Sequence, residues 1–167
     1  NQEMLNPKFY SGNGRLEATE IYVSSKLAGR IEEIFVKEGD LVKKGDKLVR
    51  MQTSTLEAQK AGTLAKIKVQ AGELAMAQAT VTHRESAFTG AEKEFKRQST
   101  LISSKAVSQR EYDAAETRFN NAKADLEYAK ASVIAAEGRV AQQKAELQHI
   151  EADLADSVLV AAYDGRI

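Results

Sequence analysis

The chain has 167 residues, which suits one domain or two small ones, and its 24 Lys and Arg balance its 24 Asp and Glu. A net charge of zero argues against nucleic acid as the main partner, because nucleic-acid-binding proteins usually carry a basic excess. The absence of Cys excludes disulfides, thiolate metal sites and Cys nucleophiles, and no apolar run approaches the ~18 residues that would span a bilayer.

The first part of the chain divides into two segments. Residues 1–14 contain one Pro and two Gly without periodicity, so we expect an N-terminal tail or leading loop. Residues 15–53 contain β-branched clusters separated by two near-identical Gly-Asp turns, "EGDLV" (38–42) and "KGDKLV" (44–49). Gly supplies positive φ in such turns and Asp bonds its own backbone, so this segment is predicted to be a compact set of short strands.

Two capping boxes mark the beginnings of two helices. In "STLE" the Ser54 side chain is expected to accept an early helix N–H while Glu57 reaches back to the cap. In "SQRE" the same roles fall to Ser108 and Glu111. The sequence therefore predicts one helix from residue 54 and a second from the neighbourhood of residue 108.

Large apolar residues recur at intervals of seven on both sides of a break near residues 102–107. The short break forces the two helices antiparallel, so residues 54–155 are predicted to form a long coiled-coil hairpin with its tip at that break. Each helix would have about 45 residues and a length of ~70 Å. The predicted seam consists of Ile67, Leu74, Val81, Phe88, Phe95, Tyr112, Phe119, Leu126, Val133, Val140 and Leu147.

A second row is expected beside this seam. In the second helix it consists of Ala115, Ala122, Ala129 and Ala136, followed by Gln143 and Ile150, each three residues after a seam residue. In the first helix we expect it to run through Leu64 and Ala71 and then through the polar Gln78, Glu85 and Glu92. Its polar members make that row a poor hydrophobic contact. The surface left exposed suggests that neighbouring copies cover part of the hairpin.

The chain returns to strand character at residues 156–167, where "DGRI" echoes the "AGRI" of residues 28–31. The stretch "GRIEEIFVKEGDLVKKGDKLVRMQ" (29–52) resembles the biotinyl/lipoyl half-motif, G-x-I-x-x-I-x-V followed by two Gly-Asp turns. The predicted fold class is α+β: a long antiparallel two-helix hairpin inserted in a split biotinyl/lipoyl-like β domain. The second half of the β domain begins near residue 156 and is expected to be truncated, which suggests that the chain is a fragment of a longer protein.

A lipoyl-like motif split by a hairpin and resumed at "VLVAAYDGRI" resembles the HlyD-type periplasmic adaptors, or membrane fusion proteins, of tripartite efflux pumps and type I secretion systems. The resemblance covers roughly residues 15–167 and departs at Ala162, where the family usually has Pro. It implies a homo-oligomer, a hexamer in the family, and partners in an inner-membrane transporter, of ABC, RND or MFS type, and an outer-membrane TolC-type channel. It also implies a periplasmic location, with an N-terminal anchor to the inner membrane absent from this chain.

The family also carries a tip pattern, R-x₃-L-x₆-S, which Arg97, Leu101 and Ser108 match at the predicted tip. The resemblance implies that these residues meet the periplasmic tips of the outer-membrane channel. Structural roles remain open for all three. Ser108 is accounted for as a helix cap, Leu101 could close the end of the coiled coil, and Arg97 could be solvated.

The sequence leaves two other functions to consider. A generic structural coiled coil would oligomerise without an export role, and a lipoyl-type carrier would need a Lys where this chain has Thr55. His83 and His149 lie on different predicted helices without a carboxylate cluster, so no metal site is predicted. No nucleophile–base arrangement or Gly-rich phosphate loop is present, and the sequence predicts neither an enzyme nor a bound cofactor.

Overall fold

The computed structural model describes residues 19–167, so the predicted tail, 1–14, and residues 15–18 lie outside the described part. The described residues form two compact units. One combines residues 19–52 with Asp156–Ile167, and the other is Thr53–Ala155. A strand-rich unit interrupted in sequence by a helical hairpin is the α+β architecture predicted above, and this prediction is confirmed.

The strand-rich unit contains two small antiparallel sheets. The first has the order β1 (Ile31–Ile34), β3 (Lys47–Met51) and β4 (Val158–Val160), so a strand after the hairpin pairs with one before it. The second pairs β2 (Leu41–Val42) with β5 (Gly165–Arg166). Both sheets therefore join the two sequence halves.

The two Gly-Asp turns have the same geometry. Gly39 and Gly45 have φ values of 92° and 91°, and in each turn the Asp carboxylate accepts a bond from the N–H three residues earlier, at 2.8 Å. Each turn also exchanges two backbone hydrogen bonds with the second half: the first with Ile167 and the second with Ala161. The repeated motif thus provides two equivalent attachment points for the returning chain.

Because the core of this unit is small, close backbone contacts matter for its stability. It consists of Val42, Leu48, Val49, Met51 and Ala161, with Ile21, Val36, Leu159 and Ile167 packed at its edge. A Cβ on Gly165 would lie 2.6 Å from the backbone oxygen of Thr19, so the segment near Thr19 approaches β5 to a distance that only Gly permits.

The hairpin consists of α1 (Ser54–Ser103, 50 residues) and α2 (Gln109–Asp156, 48 residues). Both helices are somewhat longer than expected from sequence, about 75 Å for α1 at 1.5 Å per residue. Interhelical pairs establish the antiparallel register: Lys60 with Glu151 at 3.5 Å near the open end, and Glu73 with Arg139 at 3.7 Å further along. Arg84 pairs with Asp125 at 3.8 Å nearer the turn.

We number heptads a–g with Ile67 and Tyr112 at position a, so the predicted seam occupies the a positions of both helices. All of its residues are buried or half-buried, Leu126 most deeply at 5% exposure. The second row of α2, at position d, is also placed as expected. Its buried members are Ala115, Ala129, Ala136 and Ile150.

The second row of α1 was predicted wrongly. Four of its members, Leu64, Ala71, Gln78 and Glu85, are exposed at position e, while the fifth, Glu92, is half-buried near the tip. Position d is covered instead: Thr63 is buried at 6% exposure and Gln70 is half-buried. Both helices therefore use a and d, although Arg84 at d is exposed. In the first part of α1 the polar Thr63 and Gln70 lie inside the contact, while the more apolar Leu64 and Ala71 stand one position further on.

The first capping box was also predicted wrongly. Ser54 is the first helical residue, and the cap position belongs to Thr53, which makes no side-chain capping bond. The backbone oxygen of Thr53 accepts the N–H of Glu57 at 2.8 Å, so the helix begins one residue earlier than the box requires. Ser54 therefore lies inside the first turn, where its hydroxyl is not in the cap position.

Candidate functional site

The end of α1 is closed by a hydrogen-bonded turn. The N–H of Lys105 donates to the oxygen of Ile102 at 3.0 Å, and the N–H of Ala106 donates to the oxygen of Leu101 at 3.1 Å. These bonds form a Schellman motif, which satisfies carbonyls that a helix end otherwise leaves free. The left-handed residue of the motif is Lys105 at φ 57°, where Gly is the usual choice.

The beginning of α2 contains both hydrogen bonds of the predicted capping box. The Ser108 hydroxyl accepts the N–H of Glu111 at 3.2 Å, and the Glu111 carboxylate accepts the N–H of Ser108 at 3.1 Å. At the connection, two carbonyls at the end of α1 and two N–H groups at the beginning of α2 are thus bonded within the chain.

Aromatic side chains fill the seam directly below the turn. The Phe95 ring lies 5.6 Å from Tyr112 and 5.3 Å from Phe119, and Phe119 lies 5.5 Å from Phe88, centroid to centroid. Such pairs contribute roughly 0.5–1.5 kcal/mol each beyond their burial. These ring contacts hold the end of α1 against the beginning of α2, so the tip lies on a rigid part of the hairpin.

The structure places the three predicted tip residues at this end of the hairpin. Arg97 is exposed, with 65% of its side chain accessible, and pairs with Glu94 one turn earlier on the same helix. Leu101 is half-buried one turn beyond Arg97, and its carbonyl oxygen also accepts a bond from the Ser104 hydroxyl at 3.0 Å. Ser108 is exposed across the turn at the beginning of α2. Arg97 is thus engaged by a neighbour, which sequence reasoning missed.

A polar cleft beside the tip was also missed. It lies between the helix ends and is lined by Glu94, Gln98, Arg110, Glu111 and Arg118, with Ala114 and Ala115 at its floor. The Gln98 amide donates to Glu94 at 2.9 Å, while its own oxygen is buried and accepts no hydrogen bond. The sequence signal was a Gln at position d, inside the coiled-coil contact, where an apolar residue is expected.

No metal-binding group of three or more His, Asp and Glu side chains occurs within residues 19–167. His83 is exposed, and His149 lies 3.7 Å from the carboxylate of Asp153 on its own helix. Thr55, the position at which a carrier would need Lys, lies exposed in the first turn of α1. In the same described region, no helix combines the length and apolarity needed to cross a membrane.

Two protein-family models match the chain. Residues 19–83 match "YknX, barrel-sandwich hybrid domain", and residues 73–149 match "RND MFP, alpha-helical hairpin domain". These matches fall on the strand-rich segment with the first part of α1, and on the hairpin including its tip.

Similar proteins of greater length are also known. The "36 kDa antigen" of Helicobacter pylori is 30% identical over 96% of this chain and 56% of its own length. A "UPF0194 membrane protein" of Yersinia pseudotuberculosis is 29% identical over 92% of this chain and 54% of its own. The crystal structure of MacA from Actinobacillus actinomycetemcomitans is 27% identical with a TM-score of 0.47, covering 85% of this chain and 40% of that one. The chain therefore spans about half the length of the curated relatives it matches.

Proposed function

We propose that this chain is a membrane fusion protein that acts as a periplasmic adaptor of the HlyD type in efflux or secretion. In this function it links an inner-membrane transporter to an outer-membrane TolC-type channel. The observation that carries the proposal is the hairpin itself: two helices of 50 and 48 residues joined by a short turn that is hydrogen-bonded at both helix ends.

The hairpin suits a spacer. A helix of 50 residues extends about 75 Å, and pairing two such helices along a continuous seam stiffens both. The interhelical ion pairs are distributed along the hairpin, from Lys60–Glu151 to Arg84–Asp125, and the aromatic cluster stiffens its tip. A stiff spacer of this kind holds its two ends at a fixed separation, and it needs no bound nucleotide or substrate to do so.

The tip residues supply the groups that an end-on protein contact uses. Leu101 offers a half-buried apolar side chain, Arg97 an exposed guanidinium that can exchange its Glu94 partner for an acceptor on the channel, and Ser108 an exposed hydroxyl. Central apolar side chains and Arg are the residue types that contribute most at protein interfaces. We therefore assign channel docking to Arg97, Leu101 and Ser108 within this proposal.

The test is Leu101→Ser in the full-length protein, with export of a transported substrate as the measurement. We expect export to fall at least several-fold while helicity stays at the unsubstituted level, because Leu101 is half-buried and its backbone bonds are unaffected. Leu64→Ser is the matched control, since Leu64 is an exposed Leu on the same helix, far from the tip.

Normal export from a folded Leu101→Ser variant would contradict docking through Leu101. Normal export together with no recovery of a channel after chemical crosslinking at the tip would favour a structural coiled coil without an export role. Crosslinks from the tip to an outer-membrane channel, and from the strand-rich unit to a transporter, would identify the two partners.

A further inference from the structure

Arg97 has a single carboxylate within reach on its own helix. Residues three and four positions apart are neighbours on a helix surface, and among those positions around Arg97 only Glu94 is acidic. The two side chains form an ion pair through one nitrogen of the guanidinium and one oxygen of the carboxylate. Arg97 is therefore held along α1 by Glu94 alone.

Arg118 lies on α2 and has no carboxylate within reach on its own helix. The residues three and four positions away are Ala114, Ala115, Asn121 and Ala122. Arg118 is exposed, and it takes part in no ion pair or side-chain hydrogen bond within residues 19–167. A guanidinium carries five N–H donors, and none of those of Arg118 is used by an acid.

Arg118 stands opposite Glu94 across the contact between the two helices. Both residues are at position g, through which Glu73 of α1 and Arg139 of α2 pair at 3.7 Å. Glu94 follows Glu73 by 21 residues. Arg118 precedes Arg139 by the same 21 residues, which is three whole heptads. Glu94 and Arg118 therefore repeat, nearer the tip, the positions of a pair that is closed further along the hairpin.

Packing at the tip supports this level. The next residue of each helix, Phe95 after Glu94 and Phe119 after Arg118, carries a ring, and the two ring centroids are 5.3 Å apart. Glu94 and Arg118 also line the same polar cleft, which has a volume of about 300 Å³. The cleft leaves room for the Arg118 guanidinium to reach the Glu94 carboxylate.

Glu94 is a carboxylate for which the loss of a partner is costly. Its side chain is 36% accessible, against 65% for Arg97. Its second oxygen accepts the Gln98 amide at 2.9 Å, which holds the carboxylate at the wall of the cleft. A partly buried charge without a counter-charge costs more free energy than an exposed one. Docking that draws Arg97 away from Glu94 therefore carries a penalty unless a second cation takes its place.

We infer that the Glu94 carboxylate exchanges partners at the hairpin tip: it holds Arg97 in the undocked protein and pairs with Arg118 when Arg97 leaves. Arg118 entering the cleft also brings donors to the side-chain oxygen of Gln98, which is buried and accepts no hydrogen bond. This exchange rests on the proposed docking function for its purpose. It adds Glu94 as a competitor for Arg97, and Arg118 as a positioning residue that acts through Glu94.

The exchange needs little free energy. Ion pairs between side chains with solvent access contribute little each, so the two pairings of Glu94 are close in free energy. An acceptor offered to Arg97 by another protein is then sufficient to shift the population from one pairing to the other.

The first experiment needs no channel. NMR of this chain with isotope-labelled arginine follows the exchange of the Arg118 Nε–H with water. We expect Arg97→Gln to slow that exchange several-fold, because the released carboxylate pairs with Arg118. Arg97→Gln combined with Glu94→Gln should show no slowing. The Nε–H of Arg139, which already pairs with Glu73, serves as the internal reference.

Unchanged Arg118 exchange in Arg97→Gln would overturn the inference, and so would slowing that persists in the double variant, since Glu94 would not be its cause. Either result leaves the adaptor proposal standing, because the measurement involves neither the channel nor the transporter. Normal export from Leu101→Ser, conversely, would contradict docking and leave the exchange of partners untouched.

The second experiment measures channel recovery after chemical crosslinking at the tip of the full-length protein. Arg118→Gln should lower recovery several-fold, and Arg118→Lys, which keeps the charge, should retain most of it. Glu94→Gln should raise recovery, because Arg97 is then free before docking. Arg139→Gln is the matched control, an arginine at the same position of the same helix but far from the tip, and should not change recovery.

The double variant Glu94→Gln with Arg118→Gln separates the exchange from a merely structural role of Arg118. We expect its channel recovery to equal that of Glu94→Gln alone, because Arg118 acts only through Glu94. An equal fall on removing Arg118 in both backgrounds, or no fall in either, would overturn the assignment of Arg118.

Discussion

Leu126 is the most deeply buried large residue at the a positions of the hairpin, at 5% exposure. Replacing it with Ala removes three carbon atoms from the contact between α1 and α2. At ~0.8 kcal/mol per buried CH₂ the transfer cost is ~2.4 kcal/mol. A two-helix seam is open at its sides, so the vacated space collapses or fills with water, and we expect a total loss of about 2–3 kcal/mol, in the lower part of the range for Leu→Ala in cores.

The assay is urea denaturation followed by far-UV circular dichroism, which reports the long helices. Leu64→Ala is the matched control, because it makes the same chemical change on a side chain that is 46% exposed. We expect the control to lose less than ~1 kcal/mol. Equal losses of unfolding free energy from the two variants would refute both the assigned seam and the position of Leu64 outside the contact between α1 and α2.

Two further changes test backbone conformation. Lys105→Gly should raise the unfolding free energy by about 0.5–1 kcal/mol, because Lys105 has φ 57° and Gly adopts this conformation without a Cβ clash; unchanged or lower stability in urea denaturation would contradict it. Gly165→Ala should destabilise the strand-rich unit by about 1–3 kcal/mol, because the added Cβ would lie 2.6 Å from the Thr19 oxygen. Hydrogen exchange of the Ile21 amide, which donates to Arg166 at 2.9 Å, should accelerate in that variant, and unaltered protection would contradict the close contact.

Local sequence signals were sufficient where one residue type has one strong conformational or bonding preference. The two Gly-Asp turns were predicted because Gly39 and Gly45 need positive φ and the following Asp bonds the backbone. The capping box of Ser108 and Glu111 was predicted for the same reason, since both of its bonds are within one turn. The box at Ser54 failed because the first helical hydrogen bond goes to the backbone oxygen of Thr53, which leaves Ser54 inside the first turn.

The position of the second seam row in α1 was beyond local signals. A repeat of seven identifies position a, but both d and e lie beside it, and apolarity favoured Leu64 at e over Thr63 at d. The structure buries Thr63 because the contact surface must match position d of α2, whose Gln143 and Ile150 line the same cleft as Thr63. Packing against α2, rather than the polarity of the α1 residues, therefore decided which position of α1 is buried. The polar cleft at Gln98 was missed for the same reason.

By itself the sequence determined the α+β class, the hairpin with its tip, the seam at position a and the Gly-Asp turns, because periodicity and turn chemistry act over a few neighbouring residues. Only the tertiary structure decided which strands pair across the hairpin, that each Gly-Asp turn binds Ala161 or Ile167, and that Gly165 allows the Thr19 segment to approach. It also decided which heights of α1 and α2 are level. Such contacts join residues that are far apart in sequence, and no local preference encodes their partners.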